Sequence, residues 1–197
     1  MEENQELEQK FSVPGNYSSI LEDNGAVKKS EKLLEDEYYD TDSFELLKQD
    51  VWLRKRGEKY ELKIAPPPGE AHERELQGMT QYKEVEGKDD VVKELSKIVN
   101  TKLEDMKILV KVSAFRESWA LDDFTIVIDK IIEDGWSVGE IELMASPGQN
   151  MAYVKNRIDK LRQKLNFTPV QFGKVRHCLQ TQNPEAYTLL SQISPIT

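Results

Sequence analysis

The sequence predicts an α+β domain built on an antiparallel sheet, and three observations carry that expectation. First, strict alternation of polar and apolar residues recurs along the chain. Glu6, Glu8 and Lys10 oppose Leu7 and Phe11; Trp52, Arg54 and Arg56 oppose Val51 and Leu53. Glu61 and Lys63 oppose Tyr60, Leu62 and Ile64, and Glu140 and Glu142 oppose Ile141 and Leu143. Successive strand side chains leave on opposite faces, so each segment has one charged and one apolar face. Second, strand-like segments predominate, about eight against four or five helical ones. Third, strands and helices do not alternate regularly, as a parallel sheet would require.

In chain order, Glu6–Phe11 is the first strand, closed by a turn at Pro14-Gly15. Asn16 is placed to cap a short helix through Asp23, with Gly25 just past its end. A strand over Lys32–Tyr39 and a helical turn at Phe44–Leu47 precede the strand Val51–Arg56. Gly57-Glu58 makes a tight connection to the strand Lys59–Ile64. Pro66-Pro67-Pro68 cannot continue a ladder, so 65–77 is expected to be a loop before the strand Gly78–Val85. Val92, Leu95 and Val99 mark a helix over Asp89–Val99, capped by Asp89 or Asp90. Strands follow at Lys107–Arg116, Phe124–Ile132 and Ser137–Ala145, then a turn at Ser146-Pro147-Gly148. Ala152–Leu165 is the clearest helix, with Val154, Ile158, Leu161 and Leu165 on one stripe. Thr168-Pro169 reads as the start of a helix carrying Lys174, and Asn183-Pro184 as the start of one more through Leu190.

Composition bounds the function. A chain of 197 residues is long enough for one domain with a full core. Charged residues make up 32%, an excess that suits a second wetted surface such as a polar lumen. The net charge of −9 argues against a nonspecific nucleic-acid or membrane-surface binder. It leaves a phosphate ligand open, because a local basic cluster or a bound metal overrides net charge. Cys178 is the only cysteine and His72 and His177 are far apart, so neither a disulfide nor a zinc constellation is expected. An acidic, polar start and the lack of a long apolar run lead us to expect a soluble, cytoplasmic protein.

Glu6-x-Glu8-x-Lys10 matches the ExExK signature of the CYTH superfamily, the triphosphate tunnel metalloenzymes. The series continues through Tyr38-Tyr39-Asp40-Thr41, Trp52-Leu53-Arg54-Lys55-Arg56 and Glu61-Leu62-Lys63. Tyr82-Lys83-Glu84, Arg116 with Trp119, Val138-Gly139-Glu140-Ile141-Glu142 and Lys174 complete it. The chain therefore resembles that superfamily over nearly its whole length, and its animal thiamine triphosphatase branch most. There are two departures. Phe115 stands where the family often carries a basic residue, and the spacing from Asp129 to Gly135 is one residue longer.

The resemblance implies an eight-stranded antiparallel barrel around a polar tunnel, with helices packed outside. It implies a monomeric hydrolase that removes the terminal phosphate of thiamine triphosphate. Inorganic or nucleoside triphosphates, cyclic AMP synthesis and simple organic-phosphate binding are the alternatives. Glu6, Glu8, Asp129, Glu140 and Glu142 would hold Mg²⁺, or Mn²⁺, both of which favour oxygen ligands. Lys10, Arg54, Arg56, Lys63, Glu84, Arg116 and Lys174 would bind the triphosphate, with Trp52 stacking on its organic end. Lys63 and Tyr38 match the lysine and tyrosine that assist the terminal step. Neighbouring carboxylates would raise the Lys63 pKa, so a transition-state cation is its simpler role.

Overall fold

The computed structural model describes residues 5–65, 79–146 and 148–194. The expected loop at 65–77 lies outside them apart from Ala65, as do His72, Gly78 and Pro147. Eight strands form the frame: β1 (Gln5–Ser12), β2 (Val27–Asp40), β3 (Val51–Arg56), β4 (Lys59–Ile64), β5 (Met79–Glu86), β6 (Lys107–Leu121), β7 (Phe124–Ile131) and β8 (Ser137–Ala145). Neighbours pair in the order β5-β4-β3-β2-β6-β7-β8-β1, and β1 also pairs with β5. All these pairings are antiparallel, so the sheet closes on itself as the expected ring. Closure removes the exposed strand edges and creates an inside.

Local chemistry accounts for the turns. Gly57 adopts φ 57° in the two-residue link of β3 to β4, a conformation that favours glycine. Gly139 faces Phe11 across β1 and β8, and a Cβ there would overlap the Phe11 ring. That ring stacks on Phe167 with centroids 4.2 Å apart. Pinning Phe167 keeps the following chain extended, so Thr168–Pro169 forms a short strand, β9, paired with Ser12 and Phe11. This corrects the helix start expected at Thr168-Pro169. The helix there, α4 (Lys174–Gln182), begins at Lys174 with Gly173 as its N-cap.

The other helices are α1 (Tyr17–Asp23), α2 (Lys88–Ile98), α3 (Met151–Lys164) and α5 (Pro184–Ile193). Asn16 occupies the N-cap of α1, but its side chain makes no capping bond. Gly87 caps α2, not the expected Asp89 or Asp90, which fall in the first turn and favour the helix dipole there. Val91 takes the buried position that Val92 was expected to hold; Val92 is exposed. The Val154, Ile158, Leu161 and Leu165 stripe of α3 is buried as expected. No helix among the described residues is long and apolar enough to cross a membrane.

Two of the three hydrophobic clusters lie outside the ring. Leu7, Phe11, Ile126, Ile141 and Leu143 pack under α3 and α1, and Val51, Leu53 and Leu62 under α2. The third departs from the expectation of helices outside. Val110, Val112 and Ala114 alternate on the face of β6 that also carries the cavity-lining Arg116, and they pack on α4 and α5. These last helices therefore cover the inner face of β6 and close one end of the lumen. Phe115 points the other way, beside Leu33 of β2, and is 36% exposed. A basic residue at 115 would face outward, so its absence costs the lumen no charge.

Candidate active site

The charged strand faces meet in a cavity of about 470 Å³ inside the ring. Glu6, Glu8 and Lys10 enter it from β1; Tyr38 from β2; Trp52 and Arg54 from β3; Lys63 from β4; Glu84 from β5. Arg116 comes from β6, Glu140 and Glu142 from β8, and Lys174 from the first turn of α4. Register explains the convergence, since Glu8 pairs with Glu142, Lys10 with Glu140, and Trp52 with Lys63. Paired residues in a sheet project to the same side.

Among the described residues, three carboxylates gather closely. One oxygen from each of Glu8, Glu140 and Glu142 lies within 4.8 Å of the others. Burial, then Glu6 and Glu140 beside it, push the Glu142 carboxyl up to about 8. Burial also raises Glu6, against the attraction of Lys63, to about 7. Crowded, desolvated carboxylates must take up protons or a cation. The donors are all hard oxygens, which fits a divalent ion of the Mg²⁺ or Mn²⁺ kind.

The cations are held by named acids. Lys63 Nζ lies 2.5 Å from Glu84 and 3.2 Å from Glu6. Burial works to lower its pKa, but Glu8, Glu6 and Glu84 outweigh burial and keep it raised, so the group is an ammonium. Lys10 pairs with Glu8 and lies 3.7 Å from Glu140. Arg54 pairs with Glu61 and lies 3.6 Å from Asp36, while its buried Nε finds no partner among the described residues. That Nε is a ready donor to an anion in the cavity.

Arg56 and Asp129, also expected in the site, do not line the cavity. Arg56 is gripped by both oxygens of buried Asp36. Asp129 is fully buried behind the wall. It accepts two bonds of 2.6 Å from Arg116 and one of 2.5 Å from Lys174. Burial opposes its ionisation, but Lys174 and Arg116 hold its carboxyl well below the usual range.

Sequence reading did not single out Asp36, Asp50 and Arg176, and it quoted Glu61 and Tyr82 within motifs without giving them a role in the site. Strand parity carried a signal for Asp36, two residues before Tyr38, and for Glu61, two before Lys63. Asp50 accepts bonds of 2.9 Å from Trp52 Nε1 and from the Tyr82 hydroxyl, which fixes the indole against the cavity. Tyr38 meets Trp52 edge-on, with centroids 6.3 Å apart. Asp40 of the Tyr-Tyr-Asp-Thr stretch accepts backbone N–H bonds from Thr41, Leu46 and Leu47, so it shapes the bend beneath this wall. The cavity thus has charged walls and one aromatic and aliphatic wall of Tyr38, Leu47, Trp52, Val175 and Leu190.

The raised carboxylates set a pH dependence. The folded protein holds the Glu6 and Glu142 protons more tightly than an unfolded chain does. Their contribution to stability is complete below about 4.5 and is lost as pH rises through about 7 and 8. Thermal unfolding in chelator should therefore show Tm falling from pH 5 to pH 8, with added Mg²⁺ restoring it at pH 8. A Tm that is flat or rising across that window would contradict this picture of the carboxylates.

Comparison with known proteins comes to the same place. A family model described as the CYTH domain matches residues 4–171. The chain is 26% identical to a thiamine-triphosphatase of Macaca fascicularis over 213 aligned positions, covering 96% of this chain and 90% of that one. Among solved structures, the PH1819 protein of Pyrococcus horikoshii superposes with a TM-score of 0.62 at 16% identity, covering 90% of this chain and 99% of that one. A putative adenylyl cyclase from Hippeastrum, described as having a dominant triphosphatase activity, gives a TM-score of 0.60 at 12% identity, with 93% and 99% covered. At these identities the structural likenesses speak for the fold alone.

Proposed function

We propose, from the premise that this chain belongs to the CYTH domain family, that it is a metal-dependent hydrolase. It would cleave the terminal phosphate from a triphosphate, with thiamine triphosphate as its organic substrate. The observation that carries this reading is one cavity lined by both a close carboxylate triad and a set of lysines and arginines. Among the described residues, seven lysines and arginines face seven carboxylates in the lining, so these side chains carry no net formal charge. A polyanion entering such a wall gains most if a divalent cation enters with it.

Glu8, Glu140 and Glu142 would hold the metal, with Glu6 beside them. When bound, the metal would neutralise phosphate oxygens and polarise the terminal phosphorus. Arg54, Arg116, Lys10 and Lys174 would receive the phosphates from several sides, the arginines as planar forks and the lysines as point charges. Lys63, kept as an ammonium, would stabilise charge on the equatorial oxygens of the transferring phosphoryl group and would not act as a base. Asp129 and Asp36 would keep Arg116, Lys174 and Arg56 in place from outside the cavity. The products would be orthophosphate and the diphosphate.

The organic end rests on Trp52 and on the 26% identical relative. The Asp50 bond orients the indole, and Tyr38 closes its edge. Stacking of a ring on an aromatic face is worth roughly 1–3 kcal/mol by alanine substitution. Trp52→Ala is expected to lower kcat/KM for thiamine triphosphate by about 5- to 150-fold and to leave inorganic triphosphate nearly unchanged. Assaying both substrates on one folded variant cancels general damage. Equal losses would make Trp52 structural and remove the physical case for an organic leaving group.

A further inference from the structure

Arg176 differs from five other cations that line the cavity. Lys10, Arg54, Lys63, Arg116 and Lys174 each rest against a carboxylate. Arg176 is 8% exposed and lines the same cavity. Its guanidinium donates to backbone only, to the carbonyl oxygens of Leu190 at 3.3 Å and Ser194 at 2.5 Å. No carboxylate pairs with it among the described residues. Burial lowers its pKa, with Tyr187 opposing, but an arginine starts so far above neutrality that it stays charged. The carbonyls at the end of α5 offset part of that charge through the helix dipole and cannot cancel it.

Its surroundings decide what the charge does. Val175 and Leu190 flank it and belong to the apolar wall of Tyr38, Leu47 and Trp52, where an organic leaving group would lie. The carboxylate of this wall, Asp50, is engaged by Trp52 and the Tyr82 hydroxyl, and a fixed cation in the same lining acts on any charge placed beside it. An uncharged ring gains the stacking surface and meets no repulsion. A cationic ring gains the same surface, with a cation–π term at Trp52, and meets a guanidinium that no carboxylate among the described residues neutralises. Discrimination by a repulsive element of this kind is a common route to specificity.

We propose that Arg176 is a specificity-determining residue that favours triphosphates with an uncharged leaving group and penalises a cationic one such as a thiazolium. This rests on the triphosphate reading above and refines its organic end. Thiamine triphosphate remains a substrate, held below its uncharged counterpart.

The test is calorimetric binding of two ligands to the full chain in Ca²⁺, a hard cation with the same preference for oxygen. The ligands are thiamine triphosphate and its deaza isostere, in which a neutral thiophene replaces the thiazolium. Wild type should bind the isostere about tenfold more tightly, the scale of one charge–charge contact in a protein cavity. Arg176→Met should bring the two dissociation constants within about twofold. Arg176→Lys, which keeps the charge and replaces the guanidinium Nη2 that holds the end of α5, should retain most of the wild-type preference. A ligand ratio unchanged in Arg176→Met would overturn the proposal, as would failure of wild type to bind either ligand. Arg176→Lys behaving like Arg176→Met would also overturn it, leaving Arg176 as a latch for α5. Failure of the triphosphate reading itself shows elsewhere, as no phosphate released from inorganic triphosphate by wild type in Mg²⁺.

Discussion

Glu142→Gln is expected to lower metal-dependent phosphate release by about 100-fold or more, the usual cost of losing one charged element aimed at a transition state. Glu142 shares a space of 4.8 Å with Glu8 and Glu140, so it would supply one of three adjacent oxygens to the cation. Glutamine keeps the shape and removes the charge. The same change should not harm the fold. In the metal-free protein the Glu142 carboxyl, raised to about 8, is largely protonated at neutral pH, and a neutral amide resembles that state. The expected pattern is therefore lost activity and lost Mg²⁺ affinity with an unchanged or higher Tm in chelator. Activity loss accompanied by a matching fall in metal-free stability would instead assign Glu142 a structural role.

Asp129→Asn is expected to have the opposite signature. Asp129 is fully buried between Arg116 and Lys174, and removing its charge leaves two cations against one amide. Breaking a buried pair by deleting one partner costs about 3–5 kcal/mol. Urea unfolding at pH 7 should show a loss of that order. Because the Asp129 carboxyl lies below its ordinary range, its contribution is present above about pH 4 and is lost as pH falls. The gap between variant and wild type should thus close in acid. Mg²⁺ affinity should fall less than in Glu142→Gln, since the carboxylate reaches cations and not the cavity. A metal affinity lost as completely as in Glu142→Gln, with stability intact, would return Asp129 to the ligand role that the sequence suggested.

These two carboxylates also mark how far the sequence could be read. Glu6, Glu8 and Lys10, or Glu140 and Glu142, declare their common face because strand parity is a local property. Ring closure then brings Glu8 beside Glu142 with no further information needed than antiparallel pairing. Asp129 was equally visible as an acidic residue on a strand. Its partner Lys174, however, lies 45 residues on, and only the docking of α4 brings them together. The grip of Asp36 on Arg56, 20 residues away, depends in the same way on the β2–β3 register.

The last two helices hide for a related reason. An apolar stripe announces that a helix packs, and says nothing about which side of a sheet receives it. In β6 the buried positions change face near Arg116: Val110, Val112 and Ala114 are buried on one face, Trp119 and Leu121 on the other. The first set faces α4 and α5 within the ring, and the second faces the outer cluster. Placing Arg176 in the cavity requires that inward docking, and so does the end of α5 that it holds.

The most direct test of the central claim is phosphate release from inorganic triphosphate and thiamine triphosphate by the purified protein, with Mg²⁺, with Mn²⁺, and after removal of metal by chelator. The account predicts release that needs the cation, vanishes in chelator and returns when metal is restored. Release that proceeds unchanged in chelator, or none from either triphosphate with metal present, would contradict it.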